Sequence, residues 1–142
     1  MYGPRQRAGS PYAGVIANWA HSLMMQKPLV VYGNGKQTRD FIHVSDVVRA
    51  NVKAIDVPTT GFTTYNICSE GKTSLNTILN HLRMITRYTF GIKYEEGRKG
   101  EVKDSSGANV RARVGLEWEP ATNLYDGLES LLRWRGVECK IE

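Results

Sequence analysis

The chain has 142 residues, 41% apolar and 23% charged, a globular composition that excludes a disordered tail or a collagen-like fibre. One domain, residues 1–142, is expected, because a chain of this length buries roughly two thirds of its unfolded surface. Lys and Arg number 19 against 14 Asp and Glu, a net charge of +5. That favours an anionic partner without telling a nucleic acid from a phosphorylated small molecule.

In chain order, the first predicted element is a helix from Gly14 to Lys27. Its apolar residues Val15, Ile16, Trp19, Ala20, Leu23 and Met24 fall on one helical face. Pro28 then opens a strand, Leu29-Val30-Val31-Tyr32, which ends at the turn signal Gly33-Asn34-Gly35. A second helix is expected to start at Ser45 as N-cap, with Val47, Val48, Val52 and Ile55 inward, and to stop before Pro58. Thr63 to Ile67 reads as a strand. A third helix starts near Ser74, with Leu75, Ile78, Leu79, Leu82 and Ile85 on one face. Ile92 to Glu95 reads as a strand, and the polar stretch from Glu96 to Asn109 as a loop. A fourth helix starts near Asn123, carries Leu124, Leu128, Leu131 and Leu132, and closes at Gly136. Strands alternating with helices predict a small mixed α/β fold.

Cys68 and Cys139 make no disulfide framework. No apolar run approaches the roughly 20 residues of a membrane span, and Met1 to Gln6 has no signal core. A cytoplasmic protein without a membrane partner is expected. No helix carries a basic stripe, so no nucleic-acid partner is expected either.

Several short motifs fail on spacing. A phosphate loop ending at Gly35-Lys36 needs glycine at position 30, where Val30 stands. A dinucleotide fingerprint starting at Gly33 needs glycine at position 38, where Thr38 stands. Tyr32-x-x-x-Lys36 has the spacing of a catalytic Tyr/Lys pair, which needs a helix to bring the ammonium beside the phenol. Two intervening glycines after a strand exclude that helix. His21, His43 and His81 have no metal-ligand spacing, and no metal site is expected.

Longer blocks carry more. They are Tyr2-Gly3-Pro4-Arg5-Gln6; Pro11-Tyr12-x-Gly14-Val15-Ile16; the run from Val31 through Asp40-Phe41-Ile42-His43-Val44 to Asp46-Val47; Tyr65-Asn66-Ile67 with Thr73-Ser74-Leu75; Gly97-Arg98-Lys99-Gly100-Glu101-Val102; and Trp118-Glu119-Pro120. In this order they resemble the C-terminal part of the NAD-dependent nucleotide-sugar epimerase/dehydratase family, the extended short-chain dehydrogenases. The likeness is greatest to UDP-glucose 4-epimerase members. It covers essentially all of this chain and a little under half of the family's.

The resemblance implies a C-terminal substrate-binding part without its Rossmann half. The family's Gly-rich fingerprint and Tyr-x-x-x-Lys pair would lie before Met1. The implied reading is a UDP-sugar-binding part, inactive alone, with no catalytic residue and no cofactor of its own, NAD being held by the N-terminal half. Alternatives are one subunit of a split UDP-glucose 4-epimerase, whose Rossmann half is a separate chain, and a repurposed interaction module. By resemblance, Arg39 and Arg98 would contact the diphosphate, where guanidiniums donate paired bonds to phosphate oxygens. Gly14 and Val15 would open a helix toward the same phosphates. Val30, Val31 and Tyr32 would offer backbone groups to the uracil, and Glu101 would face the ribose. On chemistry alone, Arg39 and Asp40 could instead form a structural ion pair, Arg98 could be a solvated loop charge, and Val30 and Val31 could be core.

The sequence departs from the family pattern at Cys68, Glu70 and Glu117, where glycine is frequent, at Asn109, where Asp is frequent, and at Lys99, where Pro is frequent. In the family, the strand matching Thr64 to Ile67 joins the sheet of the other half. Left alone, its edge and the surrounding helix faces predict a homo-oligomer.

Overall fold

The computed structural model describes residues 1–9, 13–58, 61–97 and 100–140. Helix α1 (Val15–Met24) buries Ile16, Ala17, Trp19, Ala20 and Leu23; of the predicted face, Val15 is half-buried and Met24, at the helix end, is 39% exposed. It ends before Lys27 because Gln26 takes a left-handed φ of 51° ahead of Pro28. Strand β1 (Leu29–Tyr32) follows, then β2 (Thr38–Arg39), α2 (Val44–Asp56), β3 (Thr73–Ser74), α3 (Leu75–Ile85), β4 (Ile92–Glu95), β5 (Asp104–Ser105), α4 (Val110–Leu116) and α5 (Leu124–Trp134). The caps of α3 and α5 are those the sequence marks. The Ser74 hydroxyl accepts from Thr77 N, and the Asn123 side chain accepts from Asp126 N. Gly136, at φ 75°, follows the end of α5.

β1 and β4 pair in parallel, with Leu29 opposite Ile92 and Tyr32 opposite Glu95. A second small sheet runs in the order β3-β2-β5, antiparallel on one side and parallel on the other. The main core gathers α1, β1, α3 and α5 around Trp19, Leu29, Ile78, Leu82, Leu128 and Leu131. A second core joins Ile42, Ala50, Ala112, Leu116 and Trp118, with Val47, Val57, Tyr65 and Ile67 against it. Phe41 packs on the first core and its neighbour Ile42 belongs to the second, so consecutive side chains link the two. Among the described residues, no helix is long and apolar enough to cross a membrane.

Three expectations need correction. In α2, Val48, Val52 and Ile55 are not inward but 54%, 55% and 82% exposed. The buried residues are Asp46 and Ala50, with Val47 half-buried. Ala50 is small enough for α2 to approach Ala112 of α4, and Asp46 is buried because it is fully bonded: its carboxylate accepts from Arg49, Ala121 N and Thr122 N. The cap of α2 is His43, not Ser45, since the ring accepts from Ser45 N at 3.3 Å. The stretch from Thr63 to Ile67 pairs with no strand among the described residues, although Tyr65 and Ile67 turn toward the second core while Thr64 and Asn66 are exposed. Within the expected loop β5 adds structure that the sequence does not announce, and α4 follows it as a helix that was not expected.

His43 is 7% exposed, and burial pushes its pKa below the ordinary 6.5, opposed by nearby Asp46. The folded chain therefore resists protonation that the unfolded chain accepts. Stability should be full above pH 6.5 and fall as pH drops through and below that value. Urea midpoints measured across this range check it. His43→Asn, which keeps a capping acceptor but does not titrate, should flatten the slope.

Candidate functional site

A cleft of about 550 Å³ lies where the opening of α1 faces the ends of β1 and β2. Gly14, Val15, Val30, Tyr32, Arg39 and Glu101 all line it, six of the eight residues singled out from sequence. Gly14 is the N-cap of α1 and supplies no capping side chain, and the first turn carries no acidic residue. The first amides of α1 thus keep their partial positive charge at the cleft wall.

Strand pairing explains why β1 presents alternate residues. Leu29 N donates to Gly91 O and Gly33 N to Glu95 O, so these positions face β4. The carbonyls of Val30 and Tyr32 turn the other way and accept from Trp19 Nε1 at 2.7 Å and Gln37 Nε2 at 2.8 Å. A carbonyl oxygen carries two lone pairs, so accepting one bond does not by itself exhaust it. Val31 is 0% exposed in the main core, the alternative the sequence left open, and does not line the cleft. Arg98 lies outside the described residues.

Arg39 pairs with Glu101, Nη2 to Oε1 at 3.3 Å, rather than with Asp40. Its Nη1 donates to the carbonyls of Thr38 and Lys103. Asp40 instead ties down two chain segments, accepting from Ser69 N and Oγ and from Gly107 N. Tyr32 stands on a strand and Lys36 in the turn beyond it, as expected for a pair that cannot act as a catalytic Tyr/Lys. Burial raises the thiol pKa of both Cys68 and Cys139, which keeps them protonated and poorly nucleophilic near neutrality. Among the described residues, no group of three His, Cys, Asp or Glu could hold a metal ion.

Sequence reasoning missed Gln6, Asn18 and Gln37, which also line the cleft. Gln6 and Gln37 stand inside the family-like blocks, but nothing in those blocks marks an amide side chain as facing a cleft, and Asn18 lies outside them.

The cleft's opening helix, its β1 wall and Arg39 all fall within residues 1–68, which match the family model for the NAD dependent epimerase/dehydratase family. The likeness in structure extends further. UDP-glucose 4-epimerase from Thermotoga maritima, solved with UDP-glucose, superposes with a TM-score of 0.82 at 33% identity, covering 94% of this chain. Over residues 1–68 the chain is similar to the NAD-dependent epimerase/dehydratase family. UDP-glucuronic acid 4-epimerase from Bacillus cereus, solved with UDP-glucuronic acid and NAD, gives 0.84 at 28% identity over 95% of this chain. In sequence, UDP-N-acetyl-alpha-D-glucosaminuronate decarboxylase from Bacillus cytotoxicus is 30% identical over 94% of this chain. The chain spans only 42–43% of the length of these relatives.

Solved relatives correct the expectation that the chain has no cofactor of its own, with NAD held by an N-terminal half. The B. cereus enzyme and MoeE5 hold NAD together with a UDP-sugar. The donor set of this cleft, a guanidinium beside helix N-terminal amides that the Gly14 N-cap leaves without a capping side chain, fits a diphosphate, a group that NAD and UDP-sugars share.

Proposed function

We propose that residues 1–142 form a UDP-sugar-binding part of an NAD-dependent epimerase/dehydratase. The observation that supports it is the convergence, in one cleft, of Arg39, the N-terminal start of α1 and the outward carbonyls of β1. In this reading the diphosphate lies between Arg39 and the amides following Gly14. The uracil lies along Val30 and Tyr32, the ribose near Glu101, and Arg98 adds a second guanidinium to the phosphates. NAD, when bound, supplies the hydride exchange of the family's chemistry. These residues hold and orient the nucleotide sugar. They include no Tyr/Lys acid–base pair, so the 142 residues alone bind without turning over.

Calorimetric titration with UDP-glucose and with UDP tests this. Binding on the order of 0.1–1 mM is expected from a few charge-assisted contacts in an open cleft. Arg39→Ala should weaken it about tenfold or more, since a charge-assisted bond contributes about 1.5–3 kcal/mol. No heat at millimolar ligand overturns the reading.

The exposed stripe of α2 and the unpaired stretch after it favour a second element of the proposal, association of the chain with itself. A split epimerase is the competing reading. It requires that an added Rossmann-type chain restore NAD-dependent interconversion of UDP-glucose and UDP-galactose.

A further inference from the structure

Arg39 is already engaged on both of its terminal nitrogens, and its three partners differ in how easily they can leave. Thr38 O and Lys103 O are backbone groups at the junction of β2 and β5, where Thr38 N also donates to Lys103 O at 2.9 Å. They cannot move without breaking the small sheet. Glu101 belongs to no strand or helix, and its side chain is 30% exposed against 28% for Arg39. The neighbouring carboxylates are not free to replace it. Asp40 is held by Ser69 and Gly107, and Asp104 accepts the Thr38 hydroxyl at 2.6 Å.

We propose that Glu101 is a tethered counter-ion that competes with the ligand's diphosphate for Arg39, and so sets which anions the cleft accepts. This rests on the reading of the cleft as a nucleotide-diphosphate site. A diphosphate and the Glu101 carboxylate cannot both bond the same Nη2 edge without bringing like charges together. Binding is therefore an exchange: the diphosphate takes the guanidinium edge and Glu101 turns away. A tethered carboxylate acts at a high effective concentration. Singly charged ligands compete poorly against it. A diphosphate, with more charge and more acceptor oxygens, competes well. The ion pair thus acts as a selectivity filter for polyanions, not only as a brace for the loop.

Titration of the 142-residue chain with UDP and with pyrophosphate separates the roles, because pyrophosphate has no ribose for Glu101 to contact. Glu101→Gln should bind pyrophosphate about two- to fivefold more tightly than the wild-type chain, the range expected for releasing an exposed ion pair. Glu101→Ala should move in the same direction. In the Arg39→Ala background, Glu101→Gln should give no gain. If the wild-type chain binds UDP but Glu101→Gln leaves pyrophosphate affinity unchanged or weaker, the exchange is overturned, and Glu101 only braces Arg39. If neither wild type nor Glu101→Gln binds UDP or pyrophosphate, the nucleotide-diphosphate reading fails, and the proposal with it.

Discussion

Trp118→Ala is expected to lower stability by about 3–5 kcal/mol, the usual range for truncating a buried tryptophan. Trp118 is 1% exposed and is the largest fully buried side chain. It packs with Ile42, Ala50, Ala112 and Leu116 in the second core, so truncating it leaves a cavity there. Its Nε1 also donates to Asp46 O at 2.9 Å, fixing α2 from the far side of the second core. Trp118→Phe should cost less, since it keeps most of the apolar area. The carbonyl it abandons still has its place in the helix, so the added loss is about 1 kcal/mol. Urea unfolding followed by circular dichroism measures both. We further expect one transition, lowered as a whole, because the Phe41–Ile42 link joins the two cores into a single cooperative domain. Two phases, one of them insensitive to Trp118, would separate the cores.

What the sequence makes legible depends on how many faces a segment has to choose between. In α1, α3 and α5 the apolar residues occupy one face and the capping residues stand at the boundary, so pattern and structure agree. Helix α2 carries apolar residues on two faces. Hydrophobicity points to Val48, Val52 and Ile55, whereas packing selects the side with a small Ala50 and a bonded Asp46. No pattern of polarity reveals a buried carboxylate whose partners, Ala121 and Thr122, lie 75 and 76 residues away. Strands β2, β3 and β5 hold two residues each, too few to show an alternation. The cleft is partly legible for the same reason. Gly14, Val30 and Arg39 stand in recognisable blocks, but the Arg39–Glu101 pair joins residues 62 positions apart and exists only in the fold.

The departures from the family pattern also acquire a physical account. Glu70 and Glu117, where glycine is frequent, both have left-handed φ, 60° and 47°, which costs a non-glycine residue about 1–2 kcal/mol. Glu70 offsets part of this, because its carboxylate accepts from Asn109 N at 2.8 Å and pairs with Arg113 at 3.4 Å. It thereby holds the start of α4 against the segment that contains Cys68, whose carbonyl accepts from Asn109 Nδ2.

The second large effect expected is on association. Val48, Val52 and Ile55 form an exposed stripe along α2, and Phe62 is 92% exposed nearby in sequence. The run from Gly61 to Cys68 contains no charge and no proline, the devices by which natural sheet edges are protected. None of its residues from Thr63 to Ile67 has a strand partner among those described. A second copy offers the same neutral edge and the same stripe, so a two-fold pairing satisfies both at once. The wild-type chain should therefore sediment as a dimer or larger species. Val52→Glu with Ile55→Glu should shift it to monomer with little loss of stability, because both positions already face solvent. The added carboxylates would also need burying in any dimer, where unpaired charges are strongly disfavoured. A strict monomer at high concentration for the wild-type chain would refute self-association. A dimer that survives both substitutions would place the contact elsewhere. Conversion to a heterodimer on adding a Rossmann-type chain, lost in the double variant, would assign this face to the other half of a split enzyme.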